Sequence, residues 1–386
     1  MHVVLVEPDD AELLYPFSLT HGAWELRSGY YTIMQRCQAA LPDCRVLVHT
    51  QRDLILESFV SRSEGYSAAY EGGPTLLILA NILLAPSTLR SMVDLCRSVQ
   101  RPVHFLLNGN TAGVFLSEHH GNLDEIPSAL DAVQADALDA VHIEGHAVTR
   151  LWHALDHIAD AISWDAEILA QNLRSNSSEV HHTVVIDESA GPVILGDNVV
   201  VGPFCVLQGP IALGDDSIVK PHSHLRETVT GPSCRISGEI SASVFHSYSN
   251  KQHAGFVGNS YIGSWVNLGA ETTTSNLKNT YSHVRPQLPW AREDSQRMFL
   301  GSLVGDHTRT AIGTLLPTGA VLGVSVCVLT TSPAPSSQRS FMWGDTRYQL
   351  PNALATIKTV MSRRGMDVTE AELALLEQIH NDDAAE

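Results

Sequence analysis

Along the second half of the chain, large aliphatic residues return every six positions. They are Leu195, Val201, Leu207, Leu213, Val219 and Leu225, then Val304, Leu316, Leu322 and Val328, with Thr310 in register. Neither the two-residue repeat of a strand nor the 3.6-residue repeat of a helix divides that spacing. Four residues after each aliphatic comes a side chain that is mostly small or β-branched: Val199, Cys205, Ile211, Ser217, Ser223 and Val229, then Thr308, Thr314, Ala320 and Val326. A fixed short period of this kind implies a parallel β-helix. Each turn lays down short strands, and neighbouring turns bury one another's apolar residues. A β-sandwich would instead need two-residue alternation, which is absent here.

The first part of the chain follows a different rule. Residues 3–6, 45–49, 75–80 and 103–108 are short apolar runs of the kind buried on both faces of a sheet, separated by helical patterns near 24–40, 51–61 and 87–99. That alternation predicts an α/β domain with a mostly parallel sheet over 1–145. Helical periodicity continues at 124–139 and 150–173, with Trp152, Leu155, Ile158, Ile162 and Ile168 near one face. The expected organisation is therefore an α/β domain at 1–145, a connecting helix and linker at 146–178, the solenoid at 179–335 and a helical cap at 336–386. Thr369 and Glu372 have capping-box spacing for the last helix, whose Leu373, Leu375, Leu376 and Ile379 form an apolar face.

The net charge of −18 matters chiefly for what it excludes. Lys and Arg are scattered, with neither stripe nor basic tail, so nucleic acid and anionic membranes are not expected partners. Any phosphate-bearing substrate must be held by a few local donors. The six cysteines lack CxxC spacing, and the N-terminus MHVVLVEP has neither a basic nor an apolar leader region; both features point to a cytoplasmic protein with reduced thiols. The longest apolar run, Leu76 to Ala85, contains Asn81 and is too short to span a bilayer.

In α/β sheets ligands sit beyond the carboxyl ends of strands, here the loop after Val6. Its LLYPFSLT segment resembles the stretch downstream of the glycine-rich signature of sugar-1-phosphate nucleotidylyltransferases. Those enzymes cradle phosphates with glycines; this chain has Asp9, Asp10, Ala11 and Glu12 in their place. Where the family carries a metal-binding aspartate, this chain offers Asn81, a poor sole ligand for Mg²⁺. Mg²⁺ is thus expected only if this domain is active. Arg27 is the local candidate for gripping a phosphate.

From about 184 to 330 the chain resembles the acetyltransferase half of the bifunctional N-acetylglucosamine-1-phosphate uridylyltransferase/glucosamine-1-phosphate acetyltransferase family. The likeness rests on HAGFVGNSYIGSWVNLGA, which matches the family's H-x-x-Y-x-G-[DN]-x-x-I-G-x-x-x-N-x-G-A. The resemblance implies a left-handed β-helix, a homotrimer with active sites where subunits meet, and acetyl-CoA or another acyl-CoA as co-substrate. Carried over, His253 takes the place of the general base and Asn267 that of an amino-sugar contact. Asn276 matches the asparagine of a substrate-binding turn, and Lys251 stands near basic residues that meet the sugar phosphate. Gly269 and Ala270 lie where the thioester would pass, with Gly305 and Ala320 on the rungs along which acyl-CoA would lie. Two departures alter substrate recognition. Phe256 replaces the family's tyrosine, and Leu277-Lys278-Asn279 replaces tyrosine, aspartate and glycine, so Lys278 could supply a phosphate-binding cation.

Such residues suit acyl transfer for physical reasons. An amine attacks a thioester only when unprotonated, so a base titrating near neutrality is needed within reach. The oxyanion that forms needs a fixed donor, such as a backbone N–H at the Gly269-Ala270 corner. His222 and His224 are two apart on a strand but lack a third ligand in spacing, so no metal site is expected there. His181-His182 and His119-His120 read as solvated pairs. Residues 282–299 interrupt the six-residue rhythm as a loop thrown out of the coil; in the resembling family such loops reach a neighbouring subunit. The leading expectation is acyl transfer to an amino-sugar phosphate or nucleotide amino sugar. The rivals are nucleotidylyl transfer in the first domain and a non-catalytic sugar-nucleotide-binding or scaffold subunit.

Overall fold

A computed structural model describes residues 1–99, 101–118, 122–125, 140–171, 177–329 and 334–385. The chain divides into two compact units, and the division does not follow sequence order. The first holds Met1–Ala11, His21–Leu26 and Tyr31–Thr149; the second holds Glu12–Thr20, Arg27–Tyr30 and Arg150–Glu386. The expected pair of His119 and His120, most of the helix at 124–139 and most of the linker at 172–178 lie outside the described residues.

In the first unit, His2–Val6 is flanked by Arg45–His49 and Thr75–Leu79, both parallel to it. The sheet continues through Asn110–Leu116, Val103–Leu107 and Ala140–His142. Asn110–Leu116 is antiparallel to both of its neighbours. The hairpin joining it to Val103–Leu107 turns at Asn108 and Gly109, with φ of 51° and 82°. Both central residues are left-handed, as a two-residue hairpin requires, and Asn-Gly is the pair that tolerates this best. Helices Ile33–Ala40, Asp53–Arg62 and Pro86–Ser98 lie between strands. The first begins nine residues later than its periodicity suggests, because 3₁₀ turns occupy Phe17–Leu19 and Ala23–Glu25. Its start is set by a capping box, with Gln35 N–H donating to the Thr32 hydroxyl and Thr32 N–H to the Gln35 side chain.

The second unit is a solenoid of parallel strands. Val206 pairs with His224, eighteen residues on, and Leu303 with Val321, again eighteen. One turn therefore consumes three six-residue repeats. All ten small or β-branched positions point inward, from Val199 at 0% exposure to Ser217 at 1%. Left-handed residues recur at one corner, among them Asn198, Asp216, Ser233, Tyr248, Trp265, His307 and Ser325. The rhythm falters in the middle. His224 pairs with Glu239, fifteen residues on, and Tyr261 with Leu303, forty-two on, which accommodates the excursion at 282–299.

The connecting helical region is two helices, His153–Asp156 and Ile158–Gln171. Trp152, Leu155, Ile158, Ile162 and Ile168 are all buried. At the C-terminus, Glu372 N–H donates to the Thr369 hydroxyl at 3.1 Å and Thr369 N–H to the Glu372 carboxylate at 2.9 Å, closing the expected box. A further helix, Leu350–Ser362, precedes it. The tail reaches back along the solenoid: Arg364, after that helix, donates to Asn250 Oδ1 at 2.7 Å.

Candidate functional site

The residues matched on the solenoid fall on one corner of consecutive turns. Asn250 bridges to Asn267, and Asn267 to Arg309, in parallel. Glu271 N–H donates to the Ala254 carbonyl at 3.1 Å. The first and last of these contacts link residues seventeen apart, and the same offset sets His253 in register with Ala270 of the next turn. His253 and Asn267 are exposed. The Gly269 N–H is occupied, donating to Thr310 Oγ1 at 2.9 Å. The Ala270 N–H makes no hydrogen bond among the described residues, so it is the corner's available donor. Glycine is required at 269 because a Cβ would come within 2.6 Å of the Ala311 carbonyl of the next turn.

Phe256 and Asn276 also meet. A Cβ built on Gly258 would fall 2.4 Å from the Phe256 ring and 2.8 Å from Asn276 Nδ2, so both side chains cover the bare backbone of that glycine. Asn276 Nδ2 donates to Asn259 Oδ1 at 2.8 Å. Lys278 donates from Nζ to the His283 carbonyl at 2.5 Å.

Lys251 sits differently from its expected place beside a substrate phosphate. It is fully buried, and its ammonium donates to the carbonyls of His253 at 2.5 Å and Ala254 at 2.7 Å. Burial pushes it down to about 8, with Glu271 partly offsetting the fall. A lysine facing inward onto these carbonyls fixes the turn that carries His253. Gly305 and Ala320, expected beside acyl-CoA, are likewise buried: Ala320 has 0% exposure, and a Cβ on Gly305 would meet Gly323 at 2.7 Å. The exposed side chains on those turns are Ile312 and Leu315.

Arg27 is 3% exposed, with its guanidinium donating to the Tyr30 carbonyl and its N–H to Tyr261 Oη at 3.2 Å. That places it inside the solenoid unit instead of at a phosphate-facing loop. The surrounding segment has the same use. Phe17 packs against Tyr261 and His246, Thr20 donates to Asp306 at 3.0 Å, and Tyr30 donates to Asp215 at 2.6 Å. His222 stacks on Phe204, while His224 bonds Gln208 at 2.8 Å, so the two histidines serve different partners.

At the strand ends of the first unit the cluster that sequence reasoning missed is centred on Glu7. Its carboxylate accepts from Ala23 N–H at 2.8 Å, Thr50 Oγ1 at 2.5 Å, and both Nε and Nη2 of Arg52 at 2.9 and 2.6 Å. No spacing signal joins residues 7 and 52. Beside it, Glu25 accepts from Arg62 at 2.7 Å and from Gly22 N–H at 3.0 Å. Burial alone would raise this carboxyl, but Arg62 and His21 outweigh burial and hold it at about 2. Asn81 donates to the Val148 carbonyl at 3.2 Å, leaving a single buried amide oxygen. Glu7 and Asn81 do not make a Mg²⁺ site, because the carboxylate is saturated by donors and the amide offers one neutral oxygen. Asp9, Asp10 and Glu12 are exposed.

No helix among the described residues is long and apolar enough to cross a membrane. Residues 3–174 match the family model described as sugar nucleotidyl transferase, and residues 192–227 match that of the bacterial transferase hexapeptide. A bifunctional sugar-1-phosphate nucleotidylyltransferase/acetyltransferase of Sulfurisphaera tokodaii is 33% identical over 172 residues, covering 43% of this chain and 41% of that protein. The bifunctional protein GlmU of Methanococcus vannielii is 26% identical over 211 residues, covering 54% and 49%. That of Bordetella parapertussis is 29% identical over 164 residues, covering 37% and 33%. The chain thus spans less than half the length of these relatives, the first of which is a transferase by name. A solved hexapeptide transferase family protein from Anaplasma phagocytophilum covers 54% of this chain and 90% of its own at 16% identity and a TM-score of 0.15, too low to support an argument.

Proposed function

We propose that the corner from Lys251 to Asn276 transfers an acyl group, acetyl in the simplest case, from a coenzyme A thioester to the amine of an amino-sugar phosphate or nucleotide amino sugar. The observation that carries this reading is the register that sets exposed His253 one turn from Ala270, whose N–H is uncommitted. His253 takes the proton of the attacking amine as the nitrogen–carbon bond forms. The oxyanion of the tetrahedral adduct accepts from the Ala270 N–H, a donor fixed by the turn and needing no reorganisation. Collapse breaks the carbon–sulfur bond, and the proton held by His253 passes to the departing thiolate. Asn267 contacts the sugar, Phe256 with Asn276 forms its apolar and amide wall, and Lys278 meets its phosphate. The name of the Sulfurisphaera tokodaii relative, which includes acetyltransferase, supports the same class of chemistry. A homotrimer is the assembly that goes with this reading, and light scattering on the purified chain tests it.

The decisive assay is thiol release from acetyl-CoA across a panel of amino-sugar phosphates and nucleotide amino sugars. Release that depends on both enzyme and acceptor is expected; release no faster than uncatalysed hydrolysis sinks the proposal. A second reading, nucleotidylyl transfer in the first unit, is favoured by the family match over 3–174. Pyrophosphate release from nucleoside triphosphate and sugar-1-phosphate with Mg²⁺ tests it. The saturated Glu7 weighs against it. Ligand-induced melting shifts with neither turnover would mark a non-catalytic sugar-nucleotide-binding subunit.

A further inference from the structure

The excursion at 282–299 is an ordered hairpin. Val284 N–H donates to the Arg297 carbonyl at 2.7 Å, Ser295 N–H to the Val284 carbonyl at 3.1 Å and Glu293 N–H to the Pro286 carbonyl at 3.2 Å. Gln287 bridges Arg292 antiparallel. Val284, Pro286 and Leu288 are buried, with Val284 lying over bare Gly319 of the coil. The two-residue alternation then places His283, Arg285 and Gln287 outward. Glu293 fixes the hairpin to its own chain through Arg150 Nε at 2.7 Å, and Arg297 pairs with Asp156. The loop is therefore anchored in cis.

Its outer face borders an open groove of about 520 Å³ lined by Lys278, Ser282, His283, Arg285, Arg292 and Asp294. Three permanent cations face one carboxylate there, a net of two positive charges, on a chain whose net charge is −18. Asp294 takes the Arg285 guanidinium at 3.2 Å and lies 3.3 Å from His283 Nδ1. Arg292 donates from Nε to the Arg285 carbonyl at 3.2 Å, its only hydrogen bond among the described residues, leaving its terminal nitrogens available. Every lining residue carries a polar or charged end group, which suits a charged ligand. The volume falls within the range of sites for whole organic ligands, roughly 300–1,000 Å³. The terminal nitrogens of Arg292 can take one phosphoryl group and the Nη1 side of Arg285, whose Nε and Nη2 meet Asp294, the other, with Lys278 as a point charge between substrate and coil.

We propose that this groove binds a diphosphate diester, the linkage that joins sugar to nucleoside in a nucleotide sugar and also joins the two halves of coenzyme A. Such a diester carries two negative charges, equal to the surplus of the groove. The assignment goes beyond the acyl-transfer reading and does not need His253.

Calorimetric titration of the full chain tests it, with inorganic pyrophosphate, UDP-N-acetylglucosamine, dephospho-coenzyme A, glucosamine-1-phosphate and inorganic phosphate as probes. Pyrophosphate and at least one of the two diesters are expected to bind at least about tenfold more tightly than either monophosphate, with affinity falling as salt rises. Preference for the nucleotide sugar assigns the groove to the acceptor; preference for dephospho-coenzyme A assigns it to the donor. The double variant Arg285→Gln/Arg292→Gln should lose about tenfold or more in diester affinity, while Asp294→Asn should gain several-fold, a change misfolding cannot produce. His253→Ala should bind as the wild type does, which separates failure of the groove from failure of the acyl mechanism. Equal affinity for diesters and monophosphates, or an unchanged affinity in the double variant, overturns the proposal.

Discussion

Two clusters of polar side chains in this molecule look alike as residue inventories and differ in what they have left over. At the strand ends of the first unit, Glu7 is 9% exposed, and both of its oxygens are occupied by a guanidinium, a hydroxyl and a backbone N–H. On the solenoid corner, His253 and Asn267 stand exposed and the Ala270 N–H is uncommitted. A buried charge must be paired to be tolerated at all, and a fully paired group has no capacity for substrate. Unsatisfied, accessible groups on a rigid backbone are what chemistry needs. Lys251 spans the two categories, being buried and paired like Glu7 while its partners are the carbonyls of the turn that carries His253.

The contrast can be broken from either side. Arg52→Ala leaves the Glu7 carboxylate buried without its main partner. The expected loss is about 3–4 kcal/mol, somewhat discounted because Arg52 is 35% exposed. Chemical denaturation reads it, and acyl transfer by the remaining folded protein should be unchanged. A loss below about 1 kcal/mol would mean that Glu7 is not a structural clamp.

Glu25 gives a pH test of the same cluster. Its folded value is depressed to about 2 from an ordinary 4.5, so the unfolded chain binds more protons between those limits. Stability from this group is complete above pH 4.5 and is lost as pH falls towards 2, on the order of 3 kcal/mol in all. Glu25→Gln should flatten that acid limb relative to wild type; parallel stability curves would refute the assignment. The smallest effect expected is at Lys251→Met, which keeps the buried stem but frees the two carbonyls. Looser placement of His253 should lower kcat by about tenfold with little change in KM. A rise in KM alone would return Lys251 to the role of a phosphate contact.

Much of the solenoid was readable because its period is set by local chain geometry repeated many times. The ten inward small residues follow from that alone. The middle escaped because turns of fifteen residues, such as that from His224 to Glu239, shift the register without leaving a mark in composition. The expectation of a mostly parallel sheet passed over Asn108-Gly109, the turn that accounts for the antiparallel strand Asn110–Leu116. His253, Asn267 and Ala270 were singled out by the resemblance of HAGFVGNSYIGSWVNLGA alone; the seventeen-residue register that sets His253 one turn from Ala270 is visible only in the structure. The burial of Lys251 and Arg27 could not, since neither charge nor spacing states which way a long side chain turns. The Glu7–Arg52 pair joins strand ends far apart in sequence, and only the packed sheet brings them together.

That His253 is the working base of an otherwise rigid corner is tested most directly by pairing two numbers for His253→Ala: the rate of acceptor-dependent thiol release from acetyl-CoA, and Tm. The rate should fall by at least about 10²-fold while Tm stays within about 2 °C, because the imidazole is exposed. A variant that keeps most of its rate, or one that loses rate only in step with stability, contradicts the account.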